Sequence, residues 1–171
     1  VGRDLADPGR LVGLHFFNPV ARMELVEVVS AEATDPQAAA RAAAFAQRIR
    51  RLPLPVHSAP GFLVNRVLMP YLLGAVQRLE EGVPAAVIDR AAREFGMPMG
   101  PPGLADRVGL DVCLAAARNL AAAFPVAVPA LLVKQVAAGR LGRKGGQGRV
   151  DSIAPALDAE NQGMHKADIA C

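Results

Sequence analysis

The chain has 171 residues, 52% hydrophobic and 20% charged, which is too apolar for a disordered polypeptide and long enough for one large domain or two small ones. Its formal net charge is +3, and its 16 Arg and 3 Lys are scattered without interleaved aromatic residues, which argues against a nucleic-acid partner. The longest apolar run, Leu120 to Val133, is broken by Pro125 and Pro129 and is unsuited to a membrane span.

From the N-terminus the pattern alternates strand and helix. Val1-Gly2-Arg3-Asp4 shows no signal-peptide core, and the first residue is not Met, as expected of a fragment. Leu11 to Phe17 is a short apolar run stopped by Asn18-Pro19, and Leu25 to Val29 is a nearly continuous β-branched one. Both suit strands covered on two faces. Asp35-Pro36 reads as an N-cap followed by a first-turn proline, opening a helix to about Arg51. Leu52 to Val56 predicts an edge strand, because Pro53 and Pro55 lack ladder donors. Ser58-Ala59-Pro60-Gly61 is punctuation and a domain boundary.

Helices follow. Phe62 to Glu81 predicts one, stopped by Gly82; Pro84 opens a second, ending near Phe95-Gly96. Gly96 to Pro102 reads as a stiff loop. Gly103 to Phe124 predicts a third helix, bent near Gly109, and Pro129 to Gly139 a short fourth. The expected order is therefore an α/β segment and then a helical domain, with a tail from Gly142 that is glycine-rich and then polar. Alanine, at 33 residues, suits the helical part.

Two titratable residues stand inside apolar strands, His15 and Glu27. A carboxylate among Leu25, Val26, Val28 and Val29 is costly to bury alone, and the intervening turn lets the strands lie side by side. Paired, Glu27 would fix the imidazole tautomer and raise the basicity of the free nitrogen, an arrangement that removes a proton from a hydroxyl. On spacing alone the default is plainer: a core histidine bonded to a backbone carbonyl, and an exposed strand-end glutamate. Asn65 lies one turn into a helix, where a polar ligand group is welcome but an ordinary solvated Asn is the default. His57 reads as a strand-end residue, His165 as inert, and Cys113 as core packing. Cys113 and Cys171 have neither metal-ligand spacing nor a disulfide framework, so no metal site and a reducing, cytoplasmic setting are expected. Gly139 to Gly148 is glycine-rich and basic but lacks the Gly-Lys-Ser/Thr of a phosphate loop, so a solvated turn is the default. No Gly-x-Gly-x-x-Gly follows a strand near the N-terminus.

Several blocks in order resemble the 3-hydroxyacyl-CoA dehydrogenases of fatty acid β-oxidation. They are Gly13-Leu14-His15-Phe16-Phe17-Asn18-Pro19-Val20, Met23 to Val29, Pro60-Gly61-Phe62-Leu63-Val64-Asn65-Arg66 with Pro70-Tyr71, Met97 to Pro101, Asp106 to Asp111, and Leu141 to Gly148. The wording looks most like the dehydrogenase part of the multifunctional fatty-oxidation α chain, with a stand-alone 3-hydroxybutyryl-CoA dehydrogenase as the alternative. The resemblance implies NAD-dependent oxidation of an L-3-hydroxyacyl-CoA to the 3-ketoacyl-CoA. His15 falls on the family's catalytic histidine, Glu27 on its paired glutamate and Asn65 on the asparagine that positions substrate. Asn18 and Lys144 match positions near the nicotinamide. It further implies a mostly α fold, in which residues 1–58 are only the end of a Rossmann-type NAD-binding α/β half, 59–148 the family's all-α C-terminal domain and 149–171 a divergent, flexible tail, and it implies an acyl-CoA substrate. The partner it implies is a second copy in a homodimer, or a multienzyme fatty acid oxidation complex. Where the family continues Gln-Gly-Phe-Tyr, this chain has Gln147-Gly148-Arg149-Val150. Without the main nucleotide-binding half, the competing expectation is a dimerisation or acyl-CoA-contacting module with no turnover of its own.

Overall fold

The structure is a computed structural model that describes residue 2 and residues 5–145, apart from the side chain of Lys144. The tail expected over 149–171, with His165 and Cys171, lies outside the described residues. The chain divides into two compact units, one ending at Arg66 and the other beginning at Val67.

The first unit is built on a three-stranded sheet in the order β1 (Val12–Phe16), β2 (Leu25–Ser30), β3 (Leu52–His57). Strands β1 and β2 are antiparallel, with Val12 opposite Ser30 and Phe16 opposite Val26; β2 and β3 are parallel, with Leu25 opposite Leu52. The central strand buries Val26 to Val29, as its continuous apolar run requires. Strand β1, also expected to be covered on both faces, is only partly buried, and Gly13 in it is exposed. The edge position of β3 explains its prolines. Leu52 and Ser58 donate to Glu24 and Ser30 carbonyls at 2.8 Å each. Even-numbered residues therefore face β2, while Pro53 and Pro55 turn their donorless nitrogens away from it.

Helix α1 (Pro36–Arg48) makes the crossover between the parallel strands and packs on all three. Its N-terminus is as expected: the Asp35 side chain accepts from the Gln37 N–H at 2.8 Å, with Pro36 in the first turn. Its end comes earlier than about Arg51. Arg50 adopts φ 58, and the Arg51 N–H turns back to the Ala46 carbonyl at 2.9 Å, closing the last turn.

After residue 63 the described regular elements are all helical: α2 (Val64–Glu80), α3 (Ala85–Glu94), α4 (Pro101–Val108), α5 (Leu110–Ala121), α6 (Ala130–Ala137) and a 3-10 turn at Arg143–Gly145. Met69, Leu72, Leu73, Val76 and Leu79 recur at helical spacing on α2 and join Leu110, Cys113, Leu114, Ala117 and Leu120 of α5 and Leu132 of α6 in one core. The single helix expected over Gly103 to Phe124 is instead two, α4 and α5. Gly109 sits between them at φ 107 and ψ 129, outside the helical region and open only to glycine at low cost. The break also frees the Leu110 N–H to bond the Leu141 carbonyl at 3.2 Å. The stiff loop is shorter than expected because α4 already begins at Pro101. Its N-cap, Gly100, has no side chain, and the buried Asp89 of α3 bonds the Gly103 N–H at 3.2 Å in its place. No helix among the described residues is long and apolar enough to cross a membrane.

Asp106 of α4 is buried, and burial pushes its carboxyl above the usual 3.8, opposed by the Arg143 guanidinium and a backbone hydrogen bond from Arg143. A raised acid binds its proton more tightly in the folded chain than in the unfolded one. Its contribution to stability therefore falls as pH rises above 3.8. Asp106→Asn removes that decline. In urea titrations run upward from about pH 4, the variant's stability relative to the parent is expected to improve with pH until the parent's Asp106 carboxyl has ionised, and then to level off. A pH-independent difference would contradict it.

Candidate functional site

The antiparallel register sets His15 directly opposite Glu27. Directly opposed residues project to the same face of an antiparallel pair with their Cβ atoms about 5 Å apart, within reach of an imidazole and a carboxylate. The two meet: His15 Nδ1 lies 2.7 Å from Glu27 Oε2. Glu27 is fully buried and the His15 side chain is 33% exposed, so the exposed strand-end glutamate of the default reading is replaced by its opposite.

A buried carboxylate needs more than one partner. Oε1 of Glu27 accepts from the backbone N–H groups of Leu63 at 3.0 Å and Val64 at 2.9 Å. These donors belong to the start of α2, where N–H groups lack intrahelical acceptors and favour negative charge. They also explain why the first unit extends to Arg66, beyond the punctuation at Ser58 to Gly61: the beginning of α2 is bonded to the sheet.

Two aromatic rings also lie against the imidazole. The Phe17 ring centroid is 4.8 Å away at 62°, edge-on, and that of Phe62 is 5.5 Å away at 57°. Phe62 has φ 43, a left-handed conformation that costs a non-glycine residue about 1–2 kcal/mol. With an acceptor-only carboxylate on Nδ1, that nitrogen carries the proton in the neutral ring. Nε2 is then left as the basic atom, on a side chain partly open to solvent. The arrangement can take a proton from a hydroxyl brought to Nε2.

The other expected residues are placed less closely. Asn65 is half-buried at the second position of α2, immediately after the Val64 donor, and makes no hydrogen bond with the pair. Asn18 is exposed in the turn just past the end of β1 that carries His15, at the cis Asn18–Pro19 bond. Lys144 is in the 3-10 turn Arg143–Gly145, and its side chain lies outside the described residues. His57 is exposed opposite Ser30, three residues along the strands from Glu27 and Leu54. The described part of the glycine-rich segment is packed against α4 at the buried Gly142, while Gly139, Arg143 and Gly145 are exposed as the solvated-turn expectation has them. A Cβ on Gly142 would stand 2.5 Å from the Asp106 carbonyl oxygen.

A dinucleotide requires a glycine-lined strand-to-helix turn for its diphosphate. The crossover from β2 to α1 through Ala31 to Asp35 contains no glycine. Thr34 Oγ1 also occupies it, accepting from Ala31 N–H and donating to the Leu11 carbonyl, both at 2.8 Å. That turn does not fit a diphosphate. Sequence reasoning missed the Leu63 and Val64 donors and the two rings. Backbone N–H groups carry no residue signature, and only the Pro60-Gly61 punctuation marked a helix start there.

Two family models match the chain: "3-hydroxyacyl-CoA dehydrogenase, NAD binding domain" over residues 1–59, and "3-hydroxyacyl-CoA dehydrogenase, C-terminal domain" over residues 61–152. Among curated relatives, the fatty acid oxidation complex subunit alpha of Idiomarina loihiensis is 39% identical over 153 residues, covering 86% of this chain and 21% of that one. The same subunit of Pseudomonas aeruginosa is 43% identical over 148 residues, covering 84% and 21%. Among solved structures, a 3-hydroxybutyryl-CoA dehydrogenase from Escherichia coli K12 superposes with a TM-score of 0.81 at 39% identity, covering 86% of this chain and 32% of that one. The (S)-3-hydroxybutyryl-CoA dehydrogenase of Ralstonia eutropha superposes with a TM-score of 0.79 at 37% identity, covering 84% and 52%. The chain thus spans 21% of the length of these curated relatives.

Proposed function

The chain belongs to the 3-hydroxyacyl-CoA dehydrogenase family, and from that premise we propose that it forms the base-bearing part of an NAD-dependent L-3-hydroxyacyl-CoA dehydrogenase of fatty acid oxidation. The substrate's 3-hydroxyl gives its proton to His15 Nε2 as the C3–H bond breaks and the C3 carbonyl forms. NAD, when bound, supplies the hydride acceptor. Glu27 holds the Nδ1 proton in place and faces the positive charge that develops on the ring as Nε2 gains its proton. Asn65 orients the substrate near the pair, and Asn18 and Lys144 stand toward the nicotinamide end. The helical part is an all-α domain that takes part in self-association or in a multienzyme complex.

The observation that carries this reading is the 2.7 Å bond between His15 Nδ1 and the fully buried Glu27. The test is NADH oxidation with acetoacetyl-CoA, run on the gene product that contains this chain and on the chain alone. The larger product is expected to turn over and the chain alone to be silent, because hydride transfer needs a positioned cofactor. The glycine-free β2-to-α1 turn favours that silence. No turnover from the larger product with any 3-ketoacyl-CoA would sink the dehydrogenase reading. Turnover by the chain alone would sink the reading of it as a module without chemistry of its own.

A further inference from the structure

We propose that the Gly61–Phe62 turn is a positioning clamp for His15, acting through Glu27. Its left-handed backbone aims the Leu63 and Val64 N–H groups at Oε1 and leaves Oε2 in one orientation against Nδ1. The kinetic consequence rests on the reading of His15 as the base; the spectroscopic one does not.

A glutamate side chain has three rotatable bonds, and a single contact with an imidazole that is itself partly exposed does not fix it. The two further bonds, at 3.0 and 2.9 Å and both to Oε1, remove that freedom. They exist only because the chain reverses sharply beforehand. Gly61 at φ 74 and Phe62 at φ 43 are consecutive left-handed residues, after which Leu63 and Val64 present their N–H groups to the sheet. Glycine adopts this conformation freely; a bulky aromatic residue adopts it only where its surroundings over-determine it. Here they do, through the two bonds that follow Phe62 and through its ring, tilted at 57° over the imidazole. Phe62 therefore touches the pair from two sides: its backbone sets the carboxylate and its ring bounds the base. Fixing Oε2 on Nδ1 fixes the tautomer, and with it which nitrogen is free to accept a proton.

The experiment is an imidazole 15N–1H correlation spectrum of the uniformly labelled full chain, with amide exchange at Leu63 and Val64. The parent is expected to show neutral His15 protonated on Nδ1 and both amides protected. Phe62→Val, whose β-branched side chain resists a left-handed backbone, is expected to move His15 toward the Nε2–H form and to speed both exchanges about tenfold. Phe62→Asn, which tolerates that backbone but has no aromatic ring, is expected to retain the tautomer and the protection. In the gene product that contains this chain, Phe62→Val is expected to lower kcat about tenfold with KM within about twofold, as for loss of a transition-state interaction. Phe62→Asn is expected to lower kcat less than Phe62→Val does, the loss that remains being that of the ring beside the imidazole. An unchanged tautomer and unchanged amide protection in folded Phe62→Val overturn the proposal, as does loss of both in Phe62→Asn. If Phe62→Val does not fold, the parent spectrum decides: an Nε2–H tautomer or unprotected Leu63 and Val64 amides overturns it.

Discussion

His15→Gln is expected to lower kcat for 3-ketoacyl-CoA reduction by about 10²–10⁴, the usual contribution of a positioned acid or base, with KM changed far less. Glutamine keeps a polar, hydrogen-bonding side chain opposite Glu27 but has no group that gives or takes a proton near neutral pH. The lost interaction belongs to the transition state, so it appears in kcat and kcat/KM together. The fold should tolerate the change. The His15 side chain is 33% exposed, and the Leu63 and Val64 donors still engage Oε1 of Glu27. A melting temperature within a few degrees of the parent, combined with the kinetic loss, is the signature. A variant that keeps activity within about threefold would remove His15 from the proposed chemistry, since a general base normally contributes at least about a hundredfold.

Gly100→Ala is expected to destabilise the helical part strongly. A Cβ there would lie 2.0 Å from Asp89 Oδ1 and 2.4 Å from Asp89 Cα, a backbone atom that no rotamer change can move. The glycine's own backbone, φ -73 and ψ 155, is ordinary for any residue, so the penalty is overlap alone. Overpacking of this kind costs about 1–3 kcal/mol. Displacing Asp89 from the Gly103 N–H adds the loss of a charge-assisted bond, about 1.5–3 kcal/mol. Against the typical 5–15 kcal/mol of a domain, a loss of about 3 kcal/mol or more lowers the melting temperature by roughly 10 °C. Thermal melts followed by circular dichroism check it, with Gly74→Ala as the contrast. Gly74 lies inside α2 with nothing within 4 Å of an added Cβ. The same methyl there stabilises by about 0.5–1 kcal/mol through helix propensity. Equal effects at the two positions would contradict the packing argument.

The contrast shows where local pattern stops informing. Gly74 and Gly100 are the same residue type, and neither sequence neighbourhood states that α3 crosses within reach of one and not the other. Gly109 is similar. Its position suggested a bend, but whether a glycine bends a helix or ends it depends on whether the freed N–H groups find partners. Here the Leu110 donor finds the Leu141 carbonyl, far along the chain.

For the site, much was legible. An ionisable residue inside each of two apolar strands raised the pairing as one reading, because neither charge is easily buried alone, but spacing alone left a plain core histidine and an exposed glutamate as the default. The strand prolines announced an edge, and Asp35-Pro36 announced a helix start, since both are rules about single residues and their backbone donors. The motif blocks supplied the family and, through it, the expected roles of His15, Glu27, Asn65, Asn18 and Lys144.

The sequence by itself determined which residues are apolar, where backbone donors are missing and which side chains can carry a proton. Those properties are local, so period and composition reveal the strands, most helix starts and the His15–Glu27 candidates. Tertiary structure alone decided that Glu27 is fully buried, that its second oxygen is held by Leu63 and Val64 N–H groups, and that two aromatic rings lie against the His15 imidazole. Backbone N–H groups are common to every non-proline residue, so no residue identity marks which of them will meet a carboxylate. That follows from the sheet register and from the turn at Gly61–Phe62, which the folded chain sets together.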